Sequence, residues 1–143
     1  MMNQCKSISR STCPISYSLE LLGDRWTMLV LRDVIMQGKQ RYGEMLASDE
    51  KIASNILSDR LRKLESDGIF TRKADPSDGR QVIYEATEKG KSLLPLLLEM
   101  AAWGATHDIK TGAPNGFAED FYSDREKYYE NHRELIRGLF EQQ

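Results

Sequence analysis

The stretch from Lys51 to Gly68, KIASNILSDRLRKLESDG, limits what this chain can fold into more than any other. Leu57, Leu61 and Leu64 recur at i, i+4 and i+7, so they line one stripe of a helix. The opposite arc carries Asn55, Ser58, Asp59 and Arg62, with Ser54 at its start and Lys63 on its flank. Arg60 lies toward the apolar side, where an ion pair within the fold suits it. Short amide and hydroxyl groups near a helix N-terminus, with cations one turn later, are what a helix laid in a DNA major groove needs. The former reach base edges, and a guanidinium meets guanine or phosphate. After Asp67-Gly68 the period changes. Ile69-Phe70-Thr71-Arg72-Lys73 and Val82-Ile83-Tyr84 are strand-like, joined by Asp75-Pro76-Ser77-Asp78-Gly79. Taken alone, the helix is equally a solvated amphipathic surface helix. The order helix, glycine, hairpin, helix favours a winged helix-turn-helix that binds double-stranded DNA.

Composition narrows the alternatives. The chain has 143 residues, 40% hydrophobic and 29% charged, one soluble domain's worth. Its net charge of −2 does not suit a general basic coat for nucleic acid. Residues 37–91 carry eleven basic and ten acidic groups, whereas residues 108–143 carry five and eight, so the acid is concentrated in the tail. The N-terminus MMNQCKSISRSTCP lacks the apolar run of a signal peptide, and no segment approaches the roughly 18 apolar residues of a membrane span. The expectation is a cytoplasmic protein without membrane partners. Cys5 and Cys13 then sit in a reducing compartment. With His107 and His132 far apart, no metal-ligand spacing, CxxC unit or catalytic constellation is visible. The chain therefore reads as no enzyme and as needing no cofactor. The rival reading is a winged-helix module that binds protein and not DNA. It would need an apolar recognition face, which the Asn55/Ser58/Arg62 arc is not.

Around this motif the chain reads as mainly α with a small β-hairpin wing. Residues 1–12 read as a polar arm, residues 13–106 as the winged domain and residues 107–143 as a C-terminal dimerisation helix. Pro14 suits the first turn of a helix that Gly23 ends. Asp24 can cap a second helix, Arg25 to Met36, apolar nearly all round and so the buried centre, with Trp26 in the core. Gln40-Arg41-Tyr42 suggests a short strand, and Gly43 opens a helix to about Ser48. Thr87 caps a helix running to about Thr106, kinked at Pro95. Trp103 suits either core or a dimer contact. A last helix, about Glu119 to Phe140, carries Phe121, Tyr122, Tyr128, Leu135, Ile136 and Leu139.

With these elements placed, the chain resembles the HxlR-type winged-helix regulators of bacteria, relatives of the MarR group. The resemblance is carried over roughly residues 13–104. Its residues are Cys13-Pro14, Gly23-Asp24-Arg25-Trp26-Thr27, Arg41-Tyr42-Gly43-Glu44-Met45-Leu46, Leu57 to Gly68, Tyr84 to Gly90, Leu94-Pro95 and Trp103-Gly104. It implies a homodimeric transcription regulator on a palindromic operator. Pairing is expected through the first helix and the two C-terminal helices, whose aromatic and aliphatic residues exceed what one small domain needs. Three departures stand out. Ala53 replaces the usual Ser before the recognition helix, which passes the cap to Ser54. Asp59 stands where a longer polar side chain is usual; it could accept from cytosine or pair with Arg62 or Lys63. The wing reads Asp78-Gly79-Arg80, closer to the MarR form, which puts Arg80 at a minor groove or phosphate. Arg41, beside the entry to the helix-turn-helix, is a candidate for backbone phosphate, and so is Lys63.

Cys13 precedes a helix N-terminus, where the dipole favours negative charge and hence a reactive thiolate. Some relatives in this family sense oxidants or electrophiles through a cysteine at this place, so the resemblance implies an oxidant or small-molecule effector. The alternative for Cys13 is a small buried hydrophobe in a dimer contact. Cys5 in the arm could resolve an oxidised Cys13.

Overall fold

The computed structural model describes residues 11–130. Helix α1 (Pro14–Leu22) starts at Cys13 with Pro14 in its first turn. Gly23 ends it at a close approach, since a Cβ there would sit 2.4 Å from the Leu19 carbonyl oxygen. Helix α2 (Arg25–Leu31) is capped by Asp24, whose carboxylate accepts from the Thr27 N–H at 2.9 Å and the Thr27 hydroxyl at 3.1 Å. The sequence reads as one α-helix to Met36. Instead the segment Arg32–Met36 winds as a wider π-helical turn, with the Gln37 N–H reaching back to the Arg32 carbonyl. Apolar periodicity reports which residues are buried, and the hydrogen-bond pitch escapes it. The widened turn carries Asp33, 3% exposed. Its carboxylate accepts from Arg32 at 2.7 and 3.0 Å and from the Ser48 hydroxyl at 2.6 Å.

The short strand expected at Gln40-Arg41-Tyr42 shrinks to a single bridge, Arg41 to Ile83, with the Tyr84 N–H bonded to the Gln40 carbonyl at 2.8 Å. Tyr42 already belongs to α3 (Tyr42–Leu46). Helix α4 (Ser54–Ser66) follows. The cap does not pass to Ser54: Ala53 keeps the N-cap position with no side-chain hydrogen bond, and Ser54 is the first helical residue. Gly68 closes α4 with φ +74°, its N–H bonded to the Glu65 carbonyl and the Ile69 N–H to the Leu64 carbonyl. This is the paired C-cap that a left-handed glycine permits.

Strands β1 (Phe70–Ala74) and β2 (Val82–Ala86) pair antiparallel with Phe70 opposite Ala86 and Ala74 opposite Val82. Relative to the sequence pattern β1 is shifted by one residue, losing Ile69 and gaining Ala74, where the Asp75 N–H closes the hairpin on the Gln81 carbonyl at 2.9 Å; β2 runs two residues further, to Ala86, which pairs with Phe70. Thr87 caps α5 (Glu88–Lys91), accepting from the Gly90 N–H while its hydroxyl donates to the Gly68 carbonyl at 2.6 Å. Gly90 passes so close to β1 that a Cβ would lie 2.4 Å from the Ile69 carbonyl oxygen. The expected helix from Thr87 to Thr106 is therefore two helices. The chain turns at Ser92-Leu93, and α6 (Leu94–His107) begins with Pro95 in its first turn. Pro95 does not kink a helix; it starts one, where its missing N–H costs nothing.

The last helix is also interrupted. Helix α7 (Phe117–Ser123) stops at Asp124, which caps a new helical stretch at 125–130 by accepting from the Lys127 N–H at 3.0 Å. Leu135, Ile136 and Leu139 lie outside the described residues, as do Cys5 and most of the N-terminal arm.

Two apolar clusters result. The main one joins α2, the π turn, α3, α4, the hairpin and α6 around Leu31, Ile35, Met45, Leu57, Leu61 and Phe70. Trp26 packs against it, half-buried. A second, around Phe121, Ala118, Leu98 and Ala102, seats α7 on α6. No described helix is long and apolar enough to cross a membrane.

Cation–carboxylate ties lock these elements. Arg60 on α4 donates to Asp24 at 2.6 Å, so the residue that caps α2 also holds α4. Arg32 grips Glu50 at 2.5 and 3.0 Å, and Arg41 grips Asp75 at 2.5 and 2.9 Å. Asp24, Glu50 and Asp75 are all drawn down to about 2. The chief causes are the hydrogen bonds from Arg60 to Asp24, from Arg32 to Glu50, and from the Ser77 hydroxyl to Asp75. Their ordinary values are 3.8 for Asp and 4.5 for Glu. The unfolded chain therefore takes up protons first as pH falls. Stability from these groups is complete above about pH 5 and is lost as pH drops through 4 toward 2. Asp24→Asn should unfold at lower urea at neutral pH and show a shallower decline in stability between about pH 5 and pH 2. An acid decline as steep as wild type would mean that Asp24 contributes nothing to it.

Candidate nucleic-acid interface

Helix α4 presents its polar arc because its other side is committed. Leu57, Leu61 and Leu64 are at most 1% exposed. At roughly 100° per residue this rotation turns Asn55, Asp59 and Arg62 outward. Ser54, Asn55, Ser58, Asp59 and Arg62 are all exposed. Helices α3 and α4, joined by the turn 47–53, form the helix-turn-helix, and the β1–β2 hairpin follows as the wing.

The two flanks of α4 differ. On the α3 side the Tyr42 hydroxyl donates to the Ser54 carbonyl at 2.9 Å, and the Ser58 hydroxyl points to the Tyr42 oxygen at 3.5 Å. Tyr42 thus stands beside Ser54 and Ser58 of the arc. On the α1–α2 side the cations are engaged. Arg60 holds Asp24 and, at 2.6 Å, Asp59. Asp59 thus pairs with Arg60, and not with Arg62 or Lys63 as its spacing suggests, because Arg60 is already fixed beside it by Asp24. The Lys63 ammonium donates to Asp67 at 2.8 Å and to the Glu20 carbonyl at 3.2 Å, at the C-terminal end of α1. A cation suits free carbonyls there. Arg62 and Asn55 have no side-chain partner among the described residues.

In the wing, the Arg80 side chain is 93% exposed, with only Asp78 in reach at 3.3 Å. Arg41 lies beside β2 at Ile83, its guanidinium held by Asp75 just past the end of β1. Sequence reasoning passed over Arg72. It is exposed in β1, opposite Tyr84, and has no partner among the described residues. No alternation marks it, since every β1 residue after Phe70 is exposed.

Cys13 is exposed and unpaired at the start of α1, so it is no buried packing residue in the single chain. Near α2 a depression lined by Trp26, Leu29, Met45 and Ile52 has room for about one water, too little for an organic effector.

Comparison with known proteins agrees with this geometry. Residues 21–111 match the model of the HxlR-like helix-turn-helix family. The uncharacterized HTH-type transcriptional regulator YdzF of Bacillus subtilis is 33% identical over 104 residues, spanning 73% of this chain and 93% of its own length. Among solved structures, the putative transcription factor PA1607 superposes with a TM-score of 0.64 at 35% identity, over 76% of this chain and 72% of its own. The redox regulator HypR in its reduced form gives 0.60 at 31% identity, over 68% and 96%. With its winged helix-turn-helix in place and this agreement over most of its length, the chain belongs to the HxlR family of helix-turn-helix transcriptional regulators.

Proposed function

We propose that the protein is a homodimer that binds a palindromic DNA operator, with one α4 in each of two successive major grooves. The observation that carries this reading is the outward arc of α4, polar throughout and with Arg62 and Asn55 uncommitted. Ser54, Asn55, Ser58 and Arg62 are the base-facing residues. Asp59 faces the same groove while tied to Arg60. Arg80 and Arg72 serve the wing. Arg41 and Lys63 can reach phosphate only by leaving Asp75 and the α1 carbonyls, so their main work is structural. An apolar recognition face, which a protein-binding module would need, is not what α4 offers. Arg62→Ala should weaken specific binding by about 1–3 kcal/mol in a titration against the chain's own upstream DNA. No loss would remove Arg62 from the interface.

The dimer reading is supported by apolar residues left in water. Ile15 and Leu19 on α1 are 70% and 60% exposed, and Trp103 on α6 is 64% exposed, in line with Leu96 and Met100. Two subunits joined there would set their recognition helices about 34–36 Å apart, one turn of DNA. Sedimentation at micromolar concentration should give a dimer, and a monomer would defeat the operator geometry.

An oxidant response through Cys13 is the second part of the proposal. Cys13 is exposed at the head of the α1 surface just described, and HypR is a redox regulator by name. Oxidation there would strain the dimer contact and change the spacing of the two α4 helices. Peroxide or diamide should alter DNA binding by wild type and leave Cys13→Ser unaffected. An identical response of both proteins would assign the effect elsewhere.

A further inference from the structure

Lys51, in the turn between α3 and α4, has a φ of +56°. It is the one non-glycine residue among those described with a positive φ; the others are Gly38, Gly68 and Gly116. In this region a Cβ crowds the following carbonyl, and glycine avoids the conflict. The lysine is not buried in return: it is exposed and its ammonium has no partner among the described residues. Only its backbone is engaged, with the N–H bonded to the Ser48 carbonyl at 3.0 Å.

The neighbouring charges are already committed inward. Glu50 is gripped by Arg32 through two hydrogen bonds. Lys39 donates to the Ser48 hydroxyl at 2.7 Å, beside Asp33. Asp49 is exposed and makes no ion pair with Lys51. The turn is thus pinned on its inner side and offers one long cation outward, three residues before α4 begins. A strained position filled by a flexible cation, where glycine would be more stable, is one whose side chain has work to do. Phosphates line the edge of any groove that α4 enters, and such contacts fix a recognition helix in register.

We infer that Lys51 is a DNA-phosphate contact that anchors the N-terminal end of α4 to the backbone at the groove edge. This rests on the DNA-binding reading above. A phosphate contact is blind to sequence, so the test needs no known operator. Wild type, Lys51→Gly and Lys51→Arg are titrated against a random-sequence duplex spanning two helical turns, across a range of salt, and each is melted alone. Lys51→Gly should melt about 3–5 °C higher, because the strain is relieved. It should nonetheless bind about tenfold more weakly, with a salt slope smaller by about 0.9 for each lysine removed. Lys51→Arg should keep both affinity and slope. Unchanged affinity and slope in Lys51→Gly would overturn the contact. So would a Lys51→Gly that melts lower and binds weakly with the wild-type slope, since the lysine would then only be shaping the turn. A wild type that binds no duplex at all would defeat the DNA-binding reading itself, and this contact with it.

Discussion

Leu57, Leu61 and Leu64 are excluded from water almost completely, and the orientation of everything useful on α4 follows from that. Each such side chain contributes about 1.5–3 kcal/mol when fully buried. Rotating the helix by even one residue would lift at least one leucine into solvent and push Ser58 or Arg62 toward the core. The apolar stripe therefore does more than stabilise. It sets the angle at which Asn55 and Arg62 leave the surface, and the hydrogen bond from Tyr42 to the Ser54 carbonyl fixes the helix at its open end.

The charged residues divide into two populations once the fold is in place. Arg32, Lys39, Arg41, Arg60 and Lys63 each have a carboxylate, hydroxyl or carbonyl partner inside the domain, and these ties join elements that are not neighbours in the chain: α2 to α4, the π turn to the turn before α4, α3 to the wing, and α4 to α1. Arg62, Arg72 and Lys51 have no such partner among the described residues. A net charge of −2 is then no obstacle to binding a polyanion, because the cations that face outward are not the ones that neutralise the internal acids.

Beyond the family's span, α7 folds back onto α6. Phe121 is fully buried, ringed by Phe117, Tyr128 and Tyr129 at centroid distances of 5.5–6.2 Å. Arg125 lies over the Phe121 and Tyr122 rings and pairs with Glu99, fastening the helical stretch at 125–130 to the same surface. The added segment covers one side of α6 and leaves the Leu96, Met100 and Trp103 line uncovered in the single chain.

The sequence by itself determined the winged helix-turn-helix, the Asp24 and Thr87 caps, the buried face of α4 and its polar arc. These rest on local rules: side-chain periodicity, capping chemistry and the conformational freedom of glycine act within a few residues. Only the tertiary structure decided the pitch of the segment Arg32–Met36, the break before Pro95, the break at Asp124 and the partner of each cation. Those outcomes depend on groups far apart in the chain. Arg60 meets Asp24 across 36 residues and Arg41 meets Asp75 across 34, and no spacing rule can see that far. For the same reason Lys63 looked like a phosphate ligand until the end of α1 came to rest against it.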